Sequence, residues 1–254
     1  MIANIFDTHA HYDDEAFDED RDVLLTSLPD KGIVGIINCG TDIKSSLFSK
    51  ELSEKYSYIK FAAGIHPHEA DEIQEGDFNK LNDLLKYKNC VAVGEIGLDY
   101  HYDFSPRDLQ KEIFAKQLEI SKEFDLPVII HDREAHEDTL ELVKKYQPKG
   151  VIHCFSGSTE LAKIYVDLGM YIGIGGALTF KNARKPIEVI KNIPIDRLLL
   201  ETDCPYMTPV PFRGQRNNSA YIENVVMKVS EITGISPERI ANITLSNTKK
   251  LFKI

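Results

Sequence analysis

Eight short apolar, β-branched runs punctuate this chain, and each is followed by a longer stretch whose apolar residues recur at helical spacing. The runs are NIFDTH from residue 4, GIVGIINCG from 32, YIKFAAGIH from 58, NCVAVGEIG from 89, LPVIIHD from 126, KGVIHCF from 149, MYIGIGG from 170 and RLLLETD from 197. A run that is apolar at consecutive positions is buried on both faces, the state of a strand in a parallel sheet covered by helices. The segment PRDLQKEIFAKQLEISKEF from 106 illustrates the intervening helices, with Leu109, Ile113, Phe114, Gln117, Leu118 and Ser121 tracing one face. Eightfold alternation of strand and helix predicts an α/β fold, a closed parallel (β/α)8 TIM barrel rather than an open sheet. The length of 254 residues suits one such barrel, so residues 1–254 are expected to form a single domain. No linker rich in Pro, Gly or Ser interrupts it. After the eighth strand, Ser236 before Pro237 and Thr244 before a polar turn are expected to cap helices.

Bulk composition limits the partners. A net charge of -10 disfavours a broad electrostatic grip on nucleic acid or an anionic membrane, while leaving room for a small basic rim around an active site. Cys39, Cys90, Cys154 and Cys204 lie far apart with no CxxC spacing, and the N-terminus lacks a basic region followed by a long apolar run. A cytoplasmic location is therefore expected, with no membrane anchor. Strand alternation turns Cys154 and Cys204 away from their neighbours His153 and Asp203, so both are expected to be buried thiols.

The ionisable residues fall in one place. His9 and His11, His66 and His68, Glu95 and Asp99, His131, His153, and Glu201 with Asp203 all follow or end the strand-like runs. In a (β/α)8 barrel those ends converge on one mouth, which predicts a metal site there. In an extended strand His9 and His11 point to the same side with Cα atoms roughly 6 to 7 Å apart, so two imidazoles can share one cation. Six of the eight histidines obey the rule, and only His101 and His136 fall later, where solvated surface positions are expected. Imidazoles and carboxylates without cysteines suit a hydrolytic divalent-metal site with open coordination positions better than a closed structural zinc site.

The stretches FDTHAH, GIHPH, GEIGLDY, PVIIHDR, VIHCFSG, LLLETDCP and FRGQRNN, in this order, resemble the TatD-type metal-dependent deoxyribonucleases of the amidohydrolase superfamily. The resemblance runs from residue 6 to about 250, and GEIGLDY and HCFSG are its most specific parts. One position departs: Ser219 stands where the family pattern commonly has proline, which bears on the shape of the loop after the eighth strand. The resemblance implies a two-metal site in which His9, His11 and Asp203 hold one ion, His131 and His153 the other, and Glu95 bridges both. It implies two divalent ions, Mg2+ in function, with Zn2+, Mn2+ or Ni2+ also compatible with the donors. Phosphodiester hydrolysis needs an attacking hydroxide and charge stabilisation, which two cations about 3.5 to 4 Å apart supply. Asp203, next to the first strand where the barrel closes, is positioned both to ligate and to accept the water's proton, which makes Asp203 and Glu95 the catalytic pair. Glu201, one layer deeper on the same side, is expected to orient a ligand. Asp99 either joins the site or caps its loop.

Substrate contacts are expected from His66, donating to a phosphate, and from Arg133, Arg213 and Arg216 gripping further phosphates, the alternative for each arginine being a solvated surface position. Tyr100 and Tyr102 either stack on bases or pack against the barrel rim. The activity so implied is divalent-metal-dependent hydrolysis of DNA, a 3′-5′ exonuclease acting on single-stranded or frayed ends, with no obligate protein partner evident. The alternative is an amidohydrolase acting on a C–N bond or small ester, since the same barrel supports acyl chemistry. Many such amidohydrolases bridge their metals with a lysine after strand four, where this chain has Glu95. A third class, a metal-stabilised binding module, is disfavoured by the presence of the whole ligand set with its base.

Overall fold

The computed structural model describes residues 1–254. Eight parallel strands, β1 (Ile5–Ala10), β2 (Ile33–Cys39), β3 (Ile59–Ala63), β4 (Cys90–Asp99), β5 (Val128–Arg133), β6 (Gly150–Ile152), β7 (Tyr171–Ile174) and β8 (Leu198–Leu200), pair in sequence order. Seven helices fill the crossovers: α1 (Arg21–Ser27), α2 (Ile43–Lys55), α3 (Asp77–Leu84), α4 (Arg107–Glu123), α5 (His136–Tyr146), α6 (Thr159–Asp167) and α7 (Arg184–Asn192). Two more follow β8, α8 (Ile222–Thr233) and α9 (Pro237–Phe252). This is the (β/α)8 barrel that the alternating runs predict.

Period-2 alternation sorts the strand residues into two cores. Ile130, Ile152, Leu198 and Leu200 face outward into the large cluster shared with the helices. Ile37, Cys39, Ile129, Val151, Tyr171 and Leu199 face inward and fill the barrel with Leu251 and Phe252 of α9. Along β5, β6 and β8 the inward series therefore reads apolar at depth and ionisable at the mouth: Ile129 then His131, Val151 then His153, Leu199 then Glu201, with Asp203 in the turn just past β8. The chemistry sits on a packed floor.

Closure between β8 and β1 depends on side chains as much as on ladder bonds. One bridge joins Ala10 to Cys204, with His11 N donating to Cys204 O at 2.8 Å and Asp203 N to His9 O at 2.9 Å. α9 packs across β1 and β8, and Asn247 Nδ2 donates to the carbonyls of Ile195 and Leu198. Strict alternation would group Asp7 with His9 and His11, but the β1 register shifts between Asp7 and Ala10, and Asp7 lies buried in the seam. There it accepts from Thr202 N at 3.0 Å, Thr202 Oγ1 at 2.6 Å and Ser219 Oγ at 2.6 Å. Ser219 opens a 3₁₀ turn, Ser219–Tyr221, and its N donates to the Tyr12 hydroxyl at 2.9 Å. The serine thus uses the position to pin the loop after β8 onto β1. Asp7→Ala strips several buried donors of their acceptor and is expected to cost about 2–4 kcal/mol in urea unfolding, whereas a loss under about 1 kcal/mol would make the seam contacts incidental.

Ser236 caps α9 as expected, its side chain accepting from Arg239 N. Thr244 does not cap: it is buried inside α9, and its hydroxyl donates back to Ile240 O at 3.0 Å. Threonine satisfies its hydroxyl on the preceding turn while its methyl packs, so a polar-looking stretch remains one helix.

Candidate metal centre

Glu95, in the middle of the long strand β4, is the hub of the barrel mouth. Its Oε2 lies 3.3 Å from His9 Nε2 and 3.5 Å from His11 Nε2, and the same two nitrogens lie 3.7 and 3.5 Å from Asp203 Oδ1. Its Oε1 faces the other way, 2.9 Å from His131 Nδ1, 2.7 Å from His153 Nε2 and 3.5 Å from His66 Nε2. Three triads have donor atoms close enough to hold an ion: His9, His11 and Asp203; His9, Glu95 and His153; and His66, Glu95 and His131. Asp203 adopts φ 56, the left-handed region that aspartate tolerates better than most residues, and that turn aims its carboxylate back at β1.

Hydrogen bonds made by the outer ring nitrogens set the tautomers and separate ligands from donors. His11 Nδ1 donates to Cys39 O at 3.0 Å, and His9 Nδ1 lies 3.5 Å from Cys39 Sγ, whose own proton points to Ile37 O. Both Nε2 atoms then present lone pairs, only 2.9 Å apart. Two facing lone pairs repel unless a proton or a cation lies between them, and with the carboxylates of Glu95 and Asp203 on the same nitrogens the donor set fits a metal. His131 Nε2 donates to Asp99 Oδ2 at 3.0 Å, which leaves Nδ1 free on the Glu95 side. His66 is the reverse case: its Nδ1 accepts from His68 N at 3.2 Å, so the proton resides on Nε2 and points into the site. A protonated nitrogen cannot ligate, and His66 presents a hydrogen-bond donor despite its place in the third triad.

The carboxylates set the charge: against the effect of burial, Asp203 and Glu95 hold His11, Asp99 and Glu95 hold His131, and Glu95 holds His153 above the ordinary imidazole range, stabilising positive charge at the place where a cation would sit. Burial opposes ionisation of Glu95, but His153, His9 and His66 outweigh it and hold the carboxyl well below the ordinary range. Asp203 is likewise held down against its burial, by His11, His9 and His153. Burial pushes His9 down to about 4, with the neighbouring His153 adding to the effect, which favours the neutral ligand form. Glu201 goes the other way, pushed up to about 8 by burial. Its Oε1 accepts from Cys154 N and lies 3.9 Å from His153 Nδ1. A Cβ at Gly173 would meet Glu201 Oε2 at 2.5 Å, so only glycine leaves room for this carboxyl beside the histidine.

The structure brings His9, His11, His66, Glu95, His131, His153 and Asp203 together around one point, with Glu201 just beneath. The three arginines differ in their partners. Arg133 lies 4.6 Å over the Tyr102 ring with no carboxylate partner, and Arg213 lies 4.0 Å over Phe180 with Nη1 donating to Thr208 O. Arg216, expected to grip phosphate, is instead committed to Asp20 through Nη1 at 2.8 Å and Nη2 at 2.7 Å. That fork ties the loop after β8 to the segment after β1. Tyr100 packs at the rim, its hydroxyl on Asp138 at 2.6 Å and its ring under Arg107. Cys204 is buried as expected, but Cys154 is half-buried, because β6 ends at Ile152 and Cys154 turns through φ 45 instead of continuing the alternation.

Cys39 and Asp99 carry more of the site than sequence reading assigns to them. Cys39 holds both histidines of β1 from one residue. Asp99, fully buried, caps its loop through Oδ1, accepting from His101 N and Tyr102 N, and with Oδ2 contacts both His131 and His68. The inward parity of Cys39, two residues from Ile37 at the end of β2, was the available signal.

A family model described as TatD related DNase matches residues 6–253. YabD of Bacillus subtilis, an uncharacterized metal-dependent hydrolase, is 42% identical over 253 residues, 98% of this chain and 99% of the relative. The 3′-5′ ssDNA/RNA exonuclease TatD of a Rahnella strain is 34% identical over 249 residues, 94% of each chain. The crystal structure of the TatD homologue YjjV from Escherichia coli superposes with a TM-score of 0.94 at 34% identity across the whole of both chains. A parallel barrel with imidazole and carboxylate donors converging at its mouth defines the class of metal-dependent hydrolases. Within that class, the chain belongs to the TatD family. No helix is long and apolar enough to cross a membrane.

Proposed function

We propose that the protein is a two-metal phosphodiesterase that removes nucleotides from the 3′ ends of single-stranded DNA. The observation that carries this reading is the division of Glu95: Oε2 faces the Nε2 atoms of His9 and His11, which Asp203 Oδ1 also faces, and Oε1 faces His131 and His153. His9, His11 and Asp203 would hold one divalent ion, His131 and His153 the other, and Glu95 both, with Mg2+ as the working metal and Zn2+, Mn2+ or Ni2+ as compatible substitutes. When bound, two such ions supply nucleophile activation and stabilisation of charge on the phosphoryl oxygens. Asp203 accepts the proton of the attacking water, its carboxylate kept ionised by the surrounding histidines. His66 donates its Nε2 proton to a phosphoryl oxygen. Cys39 keeps His9 and His11, and Asp99 keeps His131, in the orientation and tautomer that the ions require, while Glu201 lies 3.9 Å beneath His153 Nδ1. Nucleic acid as substrate is supported by the name of the Rahnella relative and by the unpaired Arg133 at the rim.

The test is an end-labelled single strand incubated with the metal-loaded protein and with protein stripped by EDTA. Stripping is expected to lower the rate by at least about 10³-fold, since each ion contributes several kcal/mol of charge stabilisation. Far-UV circular dichroism should stay unchanged, because the ligands lie above the packed floor of the barrel. Activity persisting after metal analysis confirms removal would overturn the two-metal reading. Arg213→Ala is expected to raise KM several-fold with kcat nearly constant, because a phosphate clamp acts equally in ground and transition states. Arg216→Ala should leave KM unchanged, its charge being neutralised by Asp20, and a KM effect larger for Arg216 than for Arg213 would reverse these assignments.

A further inference from the structure

We propose that Tyr102 and Phe104, in the loop between β4 and α4, form a stacking platform for an unpaired nucleobase beside the reacting phosphate. This inference rests on the nuclease reading above and adds how the protein distinguishes a single strand from a duplex end.

The two rings lie 5.1 Å apart at an interplanar angle of 18°, and they remain 48% and 64% exposed. Aromatic rings of a folded chain ordinarily go inside, and Tyr100 in the same loop does so at the rim. Phe104 stays outside although the loop around it is well fastened. Asp103, between the two rings, adopts φ 51 and is gripped by Arg107 through Nε at 2.8 Å and Nη2 at 2.6 Å. Tyr102 N donates to Asp99 Oδ1 at 2.9 Å. The ring pair is thus a fixed feature of the fold, held in water.

Its position is set by the metal centre. His68 meets Phe104 edge to face at 4.8 Å and Tyr102 at 5.5 Å, and its Nε2 contacts Asp99 Oδ2 at 2.9 Å. The same oxygen receives the proton of His131, which borders Glu95. His68 and Asp99 therefore link the platform to the ligand shell. The Arg133 guanidinium, 4.6 Å over Tyr102, places an unneutralised cation beside the rings. The rings turn one face to each other and Arg133 lies over Tyr102, so a base that extends the stack does so on Phe104 while its phosphate meets the cation. A base inside a duplex has both faces occupied and cannot reach the platform without fraying.

Steady-state cleavage is measured for the metal-loaded wild type, Phe104→Ala, Tyr102→Ala and Phe104→Trp. The substrates are a single strand with intact bases and the same strand made abasic at its last two 3′ nucleotides. Phe104→Ala is expected to raise KM about 10-fold or more on the intact strand, as loss of one base stack does, with kcat changed less than about twofold. Phe104→Trp should restore KM, and the abasic strand should bind wild type and Phe104→Ala equally weakly. A 3′-terminal 2-aminopurine should be quenched by wild type and not by Phe104→Ala or Tyr102→Ala. Wild-type cutting with KM unmoved by Phe104→Ala, or the same loss on intact and abasic strands, would overturn the platform and leave the nuclease reading standing. A wild type that neither binds nor cuts single-stranded DNA would overturn both.

Discussion

Glu95→Ala is expected to leave the barrel folded, bind fewer than two metal ions per chain and lose at least about 10³-fold in kcat on single-stranded DNA, the equivalent of several kcal/mol of charge stabilisation. The reason lies in its two oxygens, which face different ligand groups 3.3 to 3.5 Å away on one side and 2.7 to 2.9 Å away on the other. Removing the shared carboxylate takes a ligand from both groups at once. It also removes the negative charge that screens two cations held a few ångströms apart, and their repulsion in a site excluding water is then uncompensated. Metal analysis after dialysis reads the first effect and a single-turnover assay the second. A variant that keeps both ions and near-normal turnover would refute the bridging role.

Asp203→Asn should behave differently. The amide oxygen still coordinates, so most of the metal should remain, but an amide cannot accept a proton at neutral pH. A loss on the order of 10² to 10⁴ in kcat, with little change in KM, is expected of a removed general base. The carboxylate is suited to that task because His11, His9 and His153 keep it ionised against its own burial. Restoration of the rate by a more reactive leaving group would not bear on the assignment, whereas near-normal turnover of DNA by Asp203→Asn would end it. The contrast between the two variants separates a residue that holds metal from one that moves a proton.

Much of the site was legible because strand geometry is periodic. Once β5, β6 and β8 are recognised, His131, His153 and Glu201 follow as the inward positions next above Ile129, Val151 and Leu199, whereas Asp203, three residues past the end of β8, is aimed by its left-handed turn. Arg216 was not legible: its partner Asp20 is 196 residues away, and a charge near a strand end looks the same whether it faces substrate or another side chain. Cys154 failed for a local reason, since alternation ends where the strand ends and β6 is only three residues long. Thr244 failed because a hydroxyl that caps and one that bonds back to its own helix have the same sequence signature.

The sequence by itself determined the barrel, the mouth and the identity of the groups gathered there, because burial on both faces and period-2 alternation are properties of each segment alone. The tertiary structure decided which nitrogen is free in four of the site's histidines, since that depends on what lies behind the ring: the carbonyl and sulfur of Cys39 for His11 and His9, Asp99 for His131, and the His68 amide for His66. It also decided that Asp7 holds the seam through Ser219, a contact spanning 212 residues. Such contacts exist only after the first and last strands meet, and no local pattern encodes them.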